Sequence, residues 1–342
     1  MKLGLIGGGS ITETHARAAK TIPGVEISAI FGSNRSKVER LCRDHGGAAY
    51  TDFESFLNHK PMTMVVIGSP SGLHSAQGIA AAQHGLHVLT EKPIDINTGR
   101  ADALIQAAEH AGIKLGLLFQ DRLKPSIVEM KRAIEKGSLG KPILLEARVK
   151  WFRPTEYYAQ SKWRGTPELD GGGALINQAI HTVDLLLWLF GDVVRVQARA
   201  ATLLHHIEAE DTIVATLEFA NGALGVLHAT TAAFPGYPRR VEVTGTNGTI
   251  ILEQDIVVRA DLRNEDKSLL ENTLRDENLS ASSAVVNDVR GHQAVIQNFI
   301  HAIETDTVPA CDGREGRRSI ALVEAIYKAA RGSGSYDLGK HG

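Results

Sequence analysis

The sequence is poor in the features that mark several whole classes of protein. Its 342 residues include two cysteines, Cys42 and Cys311. Two are too few for a disulfide framework and lack the spacing of a metal knuckle, so a reducing cytoplasm and no bound metal are expected. Neither sign of charge is in excess: 37 Lys+Arg stand against 39 Asp+Glu, a formal net charge of -2. Such a chain has no basic field to gather nucleic acid or an anionic membrane surface. Long hydrophobic runs are missing too. The most apolar stretch, Leu185–Phe190, is bounded by Asp184 and Asp192 and falls far short of the ~20 residues that span a bilayer. The first residues carry one cation and a very short apolar run, without the longer apolar region of a secretory signal. A cytoplasmic protein without nucleic-acid or membrane partners is the expectation.

What is present is ordinary globular material, 43% hydrophobic and 22% charged, in a length that suggests about two domains at ~150 residues each. The first third alternates short apolar runs (Lys2–Ile6, Val25–Phe31, Met64–Ile67, His87–Leu89, Lys114–Leu118) with helical stretches (Ile11–Lys20, Ser36–Asp44, Gly72–His84, Thr98–His110). This alternation predicts a doubly wound parallel sheet over residues 1–120, an α/β Rossmann domain. Near residue 120 the texture changes. A helix opening at Lys124-Pro125, a strand at Ile143–Trp151 and a helix over about Ala174–Phe190 lead into successive strands: Val194–Leu204, Thr212–Phe219, Ala223–Thr231, Arg240–Thr244, Thr249–Leu252 and Ile256–Ala260. Asn221-Gly222 and Asn247-Gly248 are favoured hairpin dipeptides. Residues 121–342 therefore read as an α+β domain with a large, mostly antiparallel open sheet. The polar stretch 262–290 reads as a surface loop or short helix. Closing helices near Gln293–Glu304 and Glu315–Arg331 would pack on the sheets, including back on the first domain.

The turn Gly7-Gly8-Gly9-Ser10-Ile11-Thr12 joins the first strand to the first helix. Gly7 permits the tight turn, and Gly9 lets backbone approach a pyrophosphate at the helix start, beside Ser10 and Ile11. Thr12 replaces the third small residue of the dinucleotide fingerprint. At the end of the second strand, where an NAD site places a carboxylate ~20 residues on, the chain has Gly32-Ser33-Asn34-Arg35. Ser33, Asn34 and Arg35 could hold a 2′-phosphate, which favours NADP over NAD. Asn34 as a plain helix cap is the alternative.

After the strand at His87–Leu89 comes Glu91-Lys92-Pro93, placing a lysine at the carboxyl end of a parallel strand, where ligands bind in this architecture. Together with Ser69-Pro70-Ser71 and His74, Gly85-Leu86-His87-Val88, Phe119-Gln120-Asp121-Arg122, Asp170-Gly171-Gly172-Gly173 with His181 and Asp184, and the hairpin Thr244–Thr249, this order of motifs resembles the Gfo/Idh/MocA oxidoreductases. Glucose–fructose oxidoreductase and inositol dehydrogenase belong to that family. The resemblance implies a Rossmann domain, a C-terminal domain with a large open sheet, and dimers or tetramers through that sheet. It places Lys92 beside the nicotinamide and substrate hydroxyl, lines the cofactor with Ser69, Pro70, His74 and Glu91, and sets Gln120 at the nicotinamide. It also makes His181 the active-site base.

Imidazole titrates in the range needed to take a proton from an alcohol as hydride departs, and Lys92 would stabilise the developing alkoxide. Asn177 stands four residues before His181, on the same face of a regular helix. Inositol dehydrogenases usually carry Asp there, so an orienting or substrate-binding role remains for Asn177. Asp184 could hold His181 or serve helix packing. The run Gly171-Gly172-Gly173 would let a substrate approach backbone closely. Trp151-Phe152-Arg153, Tyr157-Tyr158 and Trp163-Arg164 offer aromatic faces and cationic forks suited to a polyhydroxylated ring or an anionic sugar, or form a loop packed by its own aromatics. The expected activity is an NAD(P)-dependent dehydrogenase acting on a secondary hydroxyl of a sugar, sugar derivative or cyclitol. The alternatives are a nucleotide-sugar or trans-dihydrodiol dehydrogenase, or a non-catalytic dinucleotide-binding regulator.

Overall fold

Strands without polar alternation must be covered on both faces. In the computed structural model, which describes residues 1–160, 163–263, 288–332 and 334–339, six such strands form one parallel sheet. They are β1 (Lys2–Ile6), β2 (Glu26–Phe31), β3 (Ala48–Tyr50), β4 (Met64–Ile67), β5 (His87–Thr90) and β6 (Leu115–Leu117), in the order β3-β2-β1-β4-β5-β6. Leu3, Leu5, Val65, Val66, Val88 and Leu89 are fully buried, each stabilising the fold by roughly 1.5–3 kcal/mol. The strand order reverses between β1 and β4, and the crevice beyond the carboxyl ends there is where such sheets bind ligands.

The compact unit around this sheet comprises Met1–Gln120 and Val285–Arg317. The helix Arg290–Glu304 covers the β6 side: a Cβ added to Gly116 would lie 2.7 Å from the Phe299 ring. The Leu117 N–H donates to the Cys311 carbonyl at 3.0 Å.

The second unit comprises Asp121–Ala284 and Arg318–Gly342. Its eight strands are β7 (Pro142–Lys150), β8 (Val193–Ala201), β9 (Thr212–Phe219), β10 (Leu224–Thr230), β11 (Arg240–Gly245), β12 (Gly248–Glu253), β13 (Ile256–Leu262) and β14 (Ser335–Asp337). They run β13-β12-β11-β7-β10-β9-β8-β14, and every pair is antiparallel except β7 with β10. Alternation is clean here. Leu145, Ala147 and Val149 of β7 are buried while Leu144, Glu146 and Arg148 are exposed. The buried side takes the apolar helix Ile180–Phe190 against β7.

Residues 264–287 of the stretch expected as a surface loop lie outside the described residues. Among the described residues, no helix is long and apolar enough to cross a membrane.

Candidate active site

Glycine at position 7 is dictated by space as well as by conformation. Its φ is +131°, and a Cβ there would sit 2.4 Å from Thr12 Oγ1 and 2.7 Å from the Gly68 carbonyl oxygen. That crowding draws the ends of β1 and β4 together. Gly9, by contrast, caps the helix Ser10–Lys20 with nothing within 4 Å of its Cβ position, so its backbone stands open at a helix N-terminus. Open N–H groups at that pole suit a pyrophosphate, and the turn fits a dinucleotide. Ser10 begins the helix, and Ile11 packs near Gly68.

At the end of β2, Asn34 accepts a hydrogen bond from the Lys37 N–H at 3.0 Å and one from Ser36 Oγ at 2.8 Å. Its side chain is the N-cap of the helix Arg35–His45, so the capping alternative holds for Asn34. Arg35 is 81% exposed and paired with Glu39 at 2.8 Å. Ser33 is exposed.

Past β4, His74 is buried, with its ring nitrogens 2.8 Å from the Pro93 carbonyl and 3.0 Å from that of Ser69. It thereby ties the Ser69-Pro70 turn to the turn carrying Lys92. Ser69 Oγ donates to Gln77 Oε1 at 2.6 Å. The Lys92–Pro93 peptide is cis. Gln120 closes β6's connection, and its side chain lies 3.2 Å from the Cβ position of Gly291.

A cluster that the sequence did not disclose fixes Glu91. Its Oε1 lies 2.9 Å from His15 Nε2 and 3.6 Å from His292 Nε2, while its Oε2 accepts from the Lys92 N–H at 3.2 Å. All three side chains are buried. Burial alone would raise the Glu91 carboxyl, but hydrogen bonds from His15 and His292 outweigh it and hold it well below the usual range. Burial pushes His15 down, against Glu91's pull. The pair is therefore an ionised carboxylate with a neutral donor.

In the second unit, His181 is the second residue of the helix Ile180–Phe190 and 14% exposed. Its Nδ1 lies 3.8 Å from Asp121 Oδ2. Asp121 is anchored by Arg239 at 2.8 Å and Lys124 at 2.7 Å, and Asp255 pairs with the same two cations. Burial would raise Asp121, yet Arg239, Lys124 and His181 together keep it well below the ordinary carboxylate value. Asp184 takes a two-pronged bond from Arg122 (2.8 and 2.6 Å) and a third from Ser319 Oγ at 3.2 Å.

Two expectations about the segment before His181 change. The helix expected over 174–190 begins as a π-helical turn, Ala174–Ala179, before becoming α-helical. The cause lies far along the chain: Glu210 takes the first donors, accepting from the N–H groups of Gly173 (3.1 Å) and Leu175 (2.9 Å) on its carboxylate and of Ala174 (3.0 Å) on its carbonyl. Asn177 thus sits in the wider turn rather than in regular α-helical register with His181. Its Nδ2 donates to the Gly172 carbonyl at 3.1 Å. The glycine run, in turn, serves internal packing. A Cβ at Gly172 would lie 2.2 Å from Tyr327 Oη, and one at Gly173 would lie 1.8 Å from the Glu210 carbonyl oxygen. Trp163 and Arg164 are half-buried, with the Arg164 guanidinium 4.2 Å from the Tyr157 ring centre. Lys92 and Gln120 thus belong to the first unit, and Trp163, Arg164, Asn177 and His181 to the second.

Residues 1–119 match the model of an oxidoreductase family with an NAD-binding Rossmann fold, and residues 127–251 match the GFO/IDH/MocA C-terminal domain. The chain is similar to the myo-inositol 2-dehydrogenase of Thermotoga maritima (27% identical, covering 96% of each chain). It is also similar to the D-apiose dehydrogenase of Paraburkholderia graminis (28% identical, 98% of this chain and 88% of the relative). Among solved structures, the WlbA dehydrogenase of Bordetella pertussis, in complex with NADH and UDP-GlcNAcA, superposes with a TM-score of 0.89 at 32% identity, covering 98% of this chain and 97% of that one. The open glycine turn, the strand order and these matches agree: the chain is an NAD-binding oxidoreductase of the Gfo/Idh/MocA family.

Proposed function

We propose that the protein is an NADP(H)-preferring dehydrogenase that oxidises a secondary hydroxyl of a sugar, sugar derivative or cyclitol. The relatives named above act on an inositol and a pentose by their names, and one binds a nucleotide sugar acid. The observation that carries the reading is the setting of His181, a nearly buried imidazole 3.8 Å from a carboxylate held ionised by Arg239 and Lys124. A positive charge formed on that ring by uptake of the substrate's hydroxyl proton is offset by Asp121. The bound nicotinamide supplies the hydride acceptor. Lys92 donates a hydrogen bond to the carbinol oxygen and stabilises its developing negative charge. The alcohol would give its hydroxyl proton to His181 and its hydride to that acceptor, and so become a ketone. Asn177, tied to the Gly172 carbonyl, orients the substrate, and Trp163-Arg164 flank it. The missing carboxylate at residues 32–35, with Arg35 exposed beside Ser33, supports the 2′-phosphate preference.

The test is nicotinamide absorbance at 340 nm with both dinucleotides and a panel of aldoses, inositols, uronates and nucleotide sugars. Turnover by the parent should fall ~10²–10⁴-fold in Lys92→Met and His181→Asn, with dinucleotide affinity kept. No turnover by the parent across the panel would favour the regulator. A higher kcat/KM with NAD than with NADP would overturn the cofactor preference. We also propose that copies associate through the open face of the eight-stranded sheet, where Leu144, Val214 and Leu224 are exposed. Sedimentation of a Leu224→Glu variant checks this.

A further inference from the structure

A guanidinium is expensive to bury without a counter-charge, and Arg153 is 4% exposed. Its Nη1 donates to the Phe152 carbonyl at 3.1 Å and its Nη2 to Gln178 Oε1 at 2.8 Å. Both acceptors are neutral. Its Nε is buried with no hydrogen-bond partner, and so is the indole Nε1 of Trp151, whose ring centre lies 5.2 Å from the guanidinium carbon. Two orphaned donors therefore belong to one pair of neighbouring side chains, and native structures leave few such groups unexplained.

The neighbours add positive charge. Tyr157 lies near two guanidiniums, Arg164 at 4.2 Å and Arg153 at 5.6 Å from its ring centre. Arg164 Nη1 donates to the Tyr157 carbonyl, again a neutral acceptor, at 3.0 Å. Neither arginine pairs with a carboxylate among the described residues. Tyr158 supplies no charge either: burial pushes its hydroxyl up to about 12, so it stays protonated beside Thr231 Oγ1 at 3.0 Å. Desolvation pulls Arg153 itself below its ordinary value, against the opposing pull of the Tyr157 and Tyr158 hydroxyls. Gln178, which holds Arg153, directly follows Asn177 in the π-helical turn, and π turns concentrate at functional sites.

We infer that Arg153 and the Trp151 indole N–H form an oxyanion subsite, assisted by Arg164, that selects a sugar bearing a carboxylate or a phosphate. A planar guanidinium fork with an adjacent N–H matches such an anion's oxygens. The inference rests on the sugar dehydrogenase reading for its ligand, while the contacts it is argued from involve neither Lys92 nor His181.

Calorimetric titration of the full-length protein, saturated with reduced dinucleotide, tests it with D-glucuronate, D-glucose 6-phosphate and D-glucose. The parent should bind at least one anion ~20-fold or more tighter than D-glucose, and which anion wins separates carboxylate from phosphate. Arg153→Gln should cut that preference at least ~10-fold, Arg153→Lys should restore part of it, and Trp151→Phe, which keeps the ring and removes the donor, should cut it ~3–10-fold. Arg259→Gln, an exposed arginine paired with Asp261, should change nothing. Anions bound no tighter than D-glucose, or Arg153 and Trp151 variants weakening all three sugars equally, would overturn the subsite. Anion preference that depends on Arg153 in a protein that oxidises no polyol would sink the dehydrogenase reading alone.

Discussion

Two runs of three glycines stand in this chain for different reasons. At Gly7-Gly8-Gly9 the first glycine is crowded by Thr12 and the Gly68 carbonyl, while the last faces open space. At Gly171-Gly172-Gly173 the second and third are walled in by Tyr327 and Glu210. The first run makes room for something that is not protein; the second lets protein approach protein. A glycine run in a sequence therefore announces close approach without saying what approaches.

The largest expected effect breaks the second run. Gly173→Ala would place a methyl group 1.8 Å from a backbone carbonyl oxygen, which cannot swing aside as a side-chain tip can. Overpacking against backbone should cost about 3 kcal/mol or more. The chain's three tryptophans, Trp151, Trp163 and Trp188, all lie in the second unit. The melting of intrinsic fluorescence should then shift down by several degrees or vanish with loss of soluble protein. An unchanged fluorescence melt would mean that Glu210 is not held against this turn.

A middle-sized effect comes from the charged anchor of the first unit. Glu91 is depressed in the folded state, so its contribution to stability is complete above about pH 4.5 and is lost as pH falls through the folded value. His15 is also depressed, and its contribution disappears on acidification below about pH 6.5. Both signs agree: the parent should lose thermal stability steadily from pH 6.5 downward. Glu91→Gln should lower the melting point at pH 7, because an amide meets His15 without the charge, and should flatten the descent below pH 4.5. Circular dichroism melts from pH 2.5 to 7.5 read both. An identical acid profile in the variant would remove Glu91 from this role.

Much of this arrangement was legible in the sequence, and what was missed has physical reasons. Met64–Ile67 and the hairpins at Asn221-Gly222 and Asn247-Gly248 could be read because strand burial and turn chemistry are local. The three-residue strands β3 and β14 are too short to show a period. Asn34 had two roles open to it, and its contact with the Lys37 N–H, three residues away, shows the capping one. The π turn at Ala174–Ala179 carries the same apolar pattern as an α-helix; its cause, Glu210, lies far along the chain. His292 was missed for the same reason. Nothing near Arg290 or Gln293 hints that a histidine there meets Glu91, and the polar stretch before it hides the link. Asp121 stood inside a quoted motif, but only folding sets it 3.8 Å from His181.

The smallest structural effect, and the sharpest functional one, comes from the open end of the first run. Gly9→Ala meets nothing within 4 Å, and its φ of -100° suits any residue. Folding should tolerate it within about 0.5 kcal/mol, leaving circular dichroism melts in place. A methyl group there would stand where a pyrophosphate must come close to backbone N–H groups, so NADPH should bind about tenfold more weakly by fluorescence titration. Crowding at Gly173 and openness at Gly9 thus predict opposite pairings of stability and affinity for the same chemical change. If Gly9→Ala bound NADPH as tightly as the parent, the open glycine would not be the dinucleotide's, and the contrast between the two runs would lose its functional half.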